Sequence, residues 1–349
     1  MKRPIAPAAA VSGTILLLSG TLTSCSATST PTSESNAPTA AIGIDIPRAD
    51  SDFWKAYDRY IRADITTQHL NVLPLTQSDA DTAKFTANVK ALAKQRPKSI
   101  VMAPQDTRAA NELLDDLLAK HISTVSVDTV PELGSTYMVV RTDNRSYGTK
   151  ACEFLGKQLH GKGKVAELQG ALESINGYER SQGFAHCMHT EFPGIQIIEL
   201  ATEWKGDVAY TKLGSTLAAN PDVGGIYMQA GGVFLQPTLK LLQEKGLLKP
   251  AGQSGHISIV SNDGISQEYD AIRKGEIDAT VSQPADLYAK YALYYAQAAV
   301  EGKTFQAGPT DHNSTIVLLP NGLEDQLPAP LVTKDNVDDP TLWANQTAN

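Results

Sequence analysis

Ile42-Gly43-Ile44-Asp45-Ile46-Pro47-Arg48-Ala49-Asp50-Ser51-Asp52-Phe53-Trp54 is where order begins in this chain. Ile42–Ile46 has the length and apolar character of a buried strand, and the two aromatics open a helical pattern. Acids and a serine precede Phe53 and Trp54, so we expect at least one ring to face a cleft and not only the core. The same alternation continues downstream. Leu70–Leu75, Ser99–Ala103 and Thr124–Val127 look like further buried strands. Between them, Phe85, Val89, Leu92 and Ala93 share one helical face, as do Ala110, Leu113, Leu114, Leu117 and Leu118. Such βαβα order implies an α/β fold with a parallel sheet covered by helices on both faces.

The pattern then restarts. A strand at Tyr137–Arg141 leads to a helix from Ser146 to Leu159, and strands follow near Lys164–Leu168, Gln196–Leu200, Gly225–Met228 and Ile257–Val260. Helices at Val208–Ala219 and Phe234–Glu244 lie between them. Two successive α/β halves predict two doubly wound, Rossmann-like lobes with an interlobe cleft. The helix Leu287–Val300 and the strand Thr315–Leu319 are too little for a third domain and should complete the two sheets. We expect lobe 1 at 42–142 plus about 284–311, and lobe 2 at 143–283 plus about 312–335. The tail 336–349, with Trp343, either packs on a lobe or stays loose.

In open parallel sheets, ligands bind outside the carboxyl ends of the strands. Those positions hold Asp128, Trp204, Gln229, Asp263 and Gln283, with Asn176 and Arg180 at the opening of a helix. Aromatic faces, carboxylates, an arginine and amides together suit a polyhydroxylated ligand. Ring faces stack on apolar C–H surfaces, and charged groups make hydrogen bonds of roughly 1.5–3 kcal/mol to hydroxyls. Taken singly, each residue has a plainer reading; an aspartate at a strand end is often a helix cap.

Upstream of Ile42, Ser26 to Ala41 is Ser, Thr, Pro and Ala without a large apolar residue, and reads as a flexible tether. Before it, Lys2-Arg3 and a short apolar stretch form a secretory signal over 1–24. Leu22-Thr23-Ser24-Cys25 resembles the lipobox of bacterial lipoproteins. That resemblance implies cleavage before Cys25, its lipidation, and anchoring on the outer face of a membrane or retention in the periplasm. The 349 residues carry a formal charge of −8, a balance that disfavours nucleic acid and anionic membrane surfaces as partners. With 42% hydrophobic residues a sizeable core can form. Three cysteines and scattered histidines supply no metal-ligand cluster, and no cofactor motif is present. His186 and His189 beside Cys187 read as surface residues.

Tyr178-Glu179-Arg180-Ser181-Gln182-Gly183-Phe184, with Asp143-Asn144, Asn262-Asp263-Gly264 and Thr280-Val281-Ser282-Gln283, resembles the type I periplasmic sugar-binding proteins of ABC importers, ribose-binding members among them. The resemblance spans Ile42 to Thr333. It implies two lobes joined by three crossing segments, a small sugar or polyol in the cleft, a closed form that docks on a membrane permease, and no catalysis. By position it assigns Phe53 and Trp54, Asp128, Arg180, Trp204, Asp263 and Gln283 to the ligand. Ribose-binding members have Asn-Pro where this chain has Ser51-Asp52, Arg where it has Thr129, and Asn where it has Ala230. Lost donors leave buried hydroxyls unpaired. A differently shaped sugar or an acyclic polyol is therefore expected, with Asp50, Asp52, Asn176 and Gln229 as replacement contacts.

With Cys25 lipidated, Cys152 and Cys187 remain as a pair in an oxidising compartment. We expect a disulfide; two buried thiols are the alternative. Other functions fit less well. An exported glycosidase could use Asp50 and Asp52, but no nucleophile motif supports it, and a LacI-like regulator would need a helix-turn-helix and no export signal. A sensor subunit for a chemoreceptor or kinase would share the binding event. The molecule is expected to be a monomer.

Overall fold

Fourteen strands in two sheets, nine α-helices and a short 3-10 helix build the fold over residues 42–346, which are the residues this computed structural model describes. The predicted signal, Cys25 and the tether lie outside the described residues, as do residues 347–349. The first half runs β1 (Ile42–Ile46), α1 (Asp52–Thr67), β2 (Thr76–Gln77), α2 (Thr82–Lys94), β3 (Ser99–Met102), α3 (Ala110–Ala119), β4 (Ser123–Val127) and β5 (Met138–Arg141). The second runs α4 (Asn144–Gln158), β6 (Lys162–Gln169), α5 (Ile175–Glu191), β7 (Gly194–Ala201), α6 (Gly206–Ala219), β8 (Val223–Met228), α7 (Gly231–Glu244), β9 (Ser258–Asp263), α8 (Ser266–Lys274) and β10 (Ala279–Ser282). Then come α9 (Ala285–Val300), β11 (Gly308–Pro309), β12 (Thr315–Leu319), β13 (Gly322–Gln326), β14 (Leu331–Thr333) and a short 3-10 helix, Trp343–Asn345.

Lobe 1 holds the sheet β11-β12-β13-β5-β4-β3-β1-β2, and lobe 2 the sheet β14-β10-β9-β8-β6-β7. Pairing is parallel throughout except at β11–β12, β12–β13 and β10–β14. Buried Ile42, Ile44, Ile46, Val125 and Val127 pack under α1 and α9, and Phe85, Val89, Leu92 and Leu114 fill the other face. Within the predicted α3 stripe, Leu118 is 55% exposed, because Leu114 and Leu117 already cover the sheet.

Two expectations need correction. Strand pairing does not run through Leu70–Leu75; it is confined to Thr76–Gln77 and a single bridge from Val72 to Ile42. Pro74 has no N–H to give a ladder. Residues 315–326 also belong to lobe 1 and not to lobe 2. β12 folds back on β13 (Leu319 opposite Gly322), and β13 adds in parallel to β5 (Glu324 opposite Val139). The third crossing therefore lies between Gln326 and Leu331, and β14 alone returns to the lobe 2 sheet. The first and second crossings lie between β5 and α4 and between β10 and α9.

The tail packs, and it touches both lobes. Val337 and Leu342 join the lobe 2 core while Trp343 joins the lobe 1 core. Arg273 on α8 holds Asp338 at 2.8 Å, and the Tyr60 hydroxyl on α1 donates to the Trp343 carbonyl at 2.8 Å.

Cys152 on α4 and Cys187 on α5 form a disulfide with a Cα separation of 6.1 Å. The two helices meet backbone to backbone. A Cβ added at Gly148 would lie 2.1 Å from the Arg180 carbonyl oxygen, and one at Gly183 would lie 2.1 Å from that of Arg145. Any larger residue at either position would force the helices apart.

Candidate ligand-binding cleft

The carboxyl ends of both sheets face a cleft of about 1130 Å³ between the lobes. Its floor is organised by Arg180, on the second turn of α5 and 3% exposed. Nε donates to Asn144 Oδ1 at 2.6 Å, one Nη to the Gln229 carbonyl at 2.5 Å, and the other to Gln283 Oε1 at 2.7 Å. Its guanidinium also lies 4.9 Å from the Tyr147 ring centroid and 5.9 Å from that of Trp204. A planar cation fixed by three partners and bordered by rings has a single orientation.

Asp128 ends β4 on the opposite lobe. It accepts from Asn176 Nδ2 at 2.8 Å and from Gln283 Nε2 at 3.0 Å. Gln283, on the second crossing, thus joins Asp128 to Arg180 through one amide. Burial raises the Asp128 carboxyl above its ordinary range, opposed by the positive charges of Arg180 and Arg141. Asn176 lines the same cleft, and its Oδ1 is buried without a protein partner. A buried acceptor left open costs free energy unless something donates to it, and a ligand hydroxyl would.

Asp263 ends β9. Its Oδ2 accepts the Gly232 N–H at 2.7 Å, at the N-terminus of α7, where backbone dipoles favour a carboxylate. Burial still raises it above the usual range, against the opposing charge of Arg180. Asp128, Trp204 and Asp263 have φ of 68°, 54° and 112°. Non-glycine residues in this region carry strain and gather at functional sites.

The aromatic walls come from both lobes. Phe53 and Trp54 both line the cleft, edge to face at 5.1 Å between centroids. Phe53 is held from behind by Tyr288 and Trp343, at 5.9 Å and 6.3 Å. Trp204 stacks on Phe234 at 6.3 Å with planes 10° apart. It lies so close over Gly170 that a Cβ there would fall 2.1 Å from the indole.

The replacement contacts expected from the sequence divide. Asn176 and Asp50 line the cleft. Asp52 does not; it bonds Lys55 at 2.9 Å and reaches Gln267 on lobe 2 at 2.8 Å, at the lip. Gln229 is fully buried behind the cleft. Its amide donates to Glu167 at 2.8 Å and Ser181 at 2.7 Å and accepts from Gly170 N–H at 2.9 Å. With its side chain saturated, Gln229 serves the site through the carbonyl that fixes Arg180.

Several residues escaped sequence reasoning. Arg48 lines the cleft, and Asn144 orients Arg180. Behind Asp263, the carboxylate of Glu268 is buried and bonded to Ser261, Thr280 and the Ile265 N–H. Burial also pushes Glu167 up to about 8. Arg48 sits just after β1, so a strand-end rule covers it. The buried acids carry no such mark, because acids within apolar strands and helices give no periodic signal.

Comparison with known proteins agrees with this geometry. The chain is 24% identical over 270 residues to a ribose import binding protein of Bacillus subtilis, covering 76% of this chain and 83% of that one. It is 25% identical over 260 residues to a xylitol-binding protein of Mycolicibacterium smegmatis, covering 74% and 67%. The Caulobacter myo-inositol binding protein, solved with myo-inositol, superimposes with a TM-score of 0.73 at 20% identity, covering 87% of this chain and 96% of that one. Residues 42–304 match the family described as the periplasmic binding protein domain. With three-quarters of its length in that match, and with two Rossmann-like lobes around one cleft, the chain belongs to the periplasmic binding protein family.

Proposed function

We propose that this protein captures a small sugar or polyol in its interlobe cleft and delivers it to an ABC-type permease, without chemical turnover. The observation that carries this reading is the floor of the cleft. Arg180, Asp128, Gln283 and Asn176 form one polar network across both lobes, with an open acceptor at Asn176 and aromatic faces above. Such a set offers donors, acceptors and stacking surface to a hydroxylated ring or chain and provides no activated nucleophile. Relatives named for ribose and xylitol bind ligands of that chemistry. Phe53, Trp54, Asp128, Asn176, Arg180, Trp204, Asp263 and Gln283 are the proposed contacts, with Asp50 at the rim. The protein acts as an exported monomer tethered by lipid on Cys25. Replacing Cys25 with Ser would release it from membranes into the soluble fraction.

The test is a thermal-shift and calorimetric screen against pentoses, hexoses, pentitols and inositols. A ligand that binds the native state alone raises the melting temperature by mass action. We expect a neutral hydroxylated compound to bind at micromolar concentration or tighter; no shift across the panel would overturn the reading.

A further inference from the structure

Thr129, next to Asp128, lines the cleft but has its hydroxyl engaged within the protein. Its hydroxyl donates to the Pro104 carbonyl at 2.8 Å and its own carbonyl accepts from Ser126 at 2.7 Å. Lobe 1 nevertheless places a cation at the cleft. Arg48 follows β1, lines the cleft, and keeps its side chain 15% exposed. Asp50 holds it in a fork, accepting from Nε and from Nη2, while that carboxylate's own side chain is 63% exposed. The remaining guanidinium hydrogens have no partner among the described residues. With its Asp50 end open to solvent the ion pair contributes roughly 0–1 kcal/mol, so it explains little as a stabilising contact.

The position of Arg48 is more informative than its pairing. The loop that carries it leads into Ser51, which touches lobe 2. A Cβ at Gly232 would lie 3.2 Å from Ser51 Oγ and 3.1 Å from Asp263 Oδ2. The first loop of lobe 1 and the carboxylate ending β9 therefore meet at one end of the cleft, and the charge of Arg48 is felt by Asp263. A donor on one lobe then stands opposite an acceptor on the other.

We propose that Arg48, oriented by Asp50, is a cationic donor from lobe 1 to the binding site and a determinant of its specificity, engaging a vicinal diol whose second hydroxyl is bonded by Asp263. One ligand edge would thus bridge both lobes and reward closure. Neutral diols suit the pair, because the donor and acceptor charges offset one another. This inference rests on the sugar or polyol reading above.

The experiment measures calorimetric affinity for D-ribose, xylitol, D-allose and myo-inositol with the wild type, Arg48→Ala and Arg48→Lys, and the melting temperature of each ligand-free protein. We expect Arg48→Ala to lose roughly tenfold to hundredfold in affinity, with Arg48→Lys intermediate because it keeps charge without the fork. The ligand-free melting temperature should stay within about 2 °C of wild type, because the solvent-open Asp50 is the one partner Arg48 loses among the described residues. Affinity unchanged within twofold would overturn the assignment, and so would a loss accompanied by a fall in ligand-free stability, which would mark Arg48 as structural. A wild type that binds none of the four probes, or anything in the wider screen, would remove the sugar or polyol reading and this inference with it.

Discussion

Arg180 on lobe 2 gives its guanidinium to Asn144, the Gln229 carbonyl and Gln283, whereas Arg48 on lobe 1 gives its own to Asp50 alone. The contrast extends to the surrounding structure. The helices behind Arg180 are locked by Gly148 and Gly183, by the Cys152–Cys187 disulfide and by buried Phe184, while Arg48 rides on a loop with an exposed partner. A site needs fixed groups to bind quickly without ordering cost and adjustable groups to choose among ligands. Lobe 2 supplies the fixed wall. Lobe 1 supplies a wall on which one loop can change the ligand without disturbing the fold. The departures from ribose-binding members at 51, 52 and 129 lie on lobe 1, and that at Ala230 lies beside Gly231 on lobe 2.

The difference can be broken most severely at Arg180. Arg180→Ala leaves Asn144 and Gln283 without their cationic partner and places Asp128 and Asp263 in a buried site with less positive charge. Removing one member of a buried charged network costs about 3–5 kcal/mol. We expect ligand binding to fall by two orders of magnitude or more and the urea midpoint to fall as well. The sequence alone suggests a binding defect with an intact fold; the full burial of Arg180 predicts both losses. Calorimetry and urea unfolding on one preparation would separate them, and an unchanged urea midpoint would show that the lobe 2 wall does not depend on Arg180.

The disulfide tests the same wall from behind. Cys152→Ser with Cys187→Ser should cost roughly 3–4 kcal/mol by loop entropy. Because Asn144 and Arg180 lie on the two helices it joins, affinity should fall too, by a few fold. Stability lost with affinity unchanged would confine the bond to a purely structural role.

Glu167 provides a pH test of the lobe 2 interior. Burial raises its folded-state pKa from 4.5 to about 8, so the folded protein resists its ionisation. Its contribution is fully present below about pH 4.5 and is lost as pH rises toward 8. Thermal midpoints should therefore decline across that window. Glu167→Gln, neutral at every pH, should flatten the decline while leaving the acidic end unchanged. Parallel curves for the two proteins would rule out Glu167 as the group responsible.

The smallest effect belongs to the lip. Asp52 and Gln267 meet across the lobes at 2.8 Å, but Asp52 is solvent-exposed and outside the cleft lining. Asp52→Ala should change affinity by less than twofold, as exposed polar pairs are worth under about 1 kcal/mol. A larger loss would place ligand discrimination at the lip as well as at Arg48.

Much of the architecture was legible along the chain. The apolar runs at Ile42–Ile46, Ser99–Met102 and Ser123–Val127 are buried on both faces, and continuous hydrophobicity is the mark of such strands. The stripe Phe85, Val89, Leu92 and Ala93 is buried because three- and four-residue spacing places it on one side of α2. Strand ends pointed to Asp128, Asp263 and Gln283, since topology alone directs those positions to the cleft.

Which residues stand at the carboxyl ends of the strands is written in the chain, because local periodicity sets where each strand stops. Tertiary structure decided what those residues do. Gln229 and Asp263 both end strands of lobe 2, yet Gln229 is saturated by Glu167 and Ser181 while Asp263 opens to the cleft. The return of β12 and β13 to lobe 1, the bridging of both cores by the tail, and the separate fates of Arg48 and Arg180 were likewise decided there. Each depends on partners far apart in sequence, and no local pattern encodes which long-range contact satisfies a given polar group.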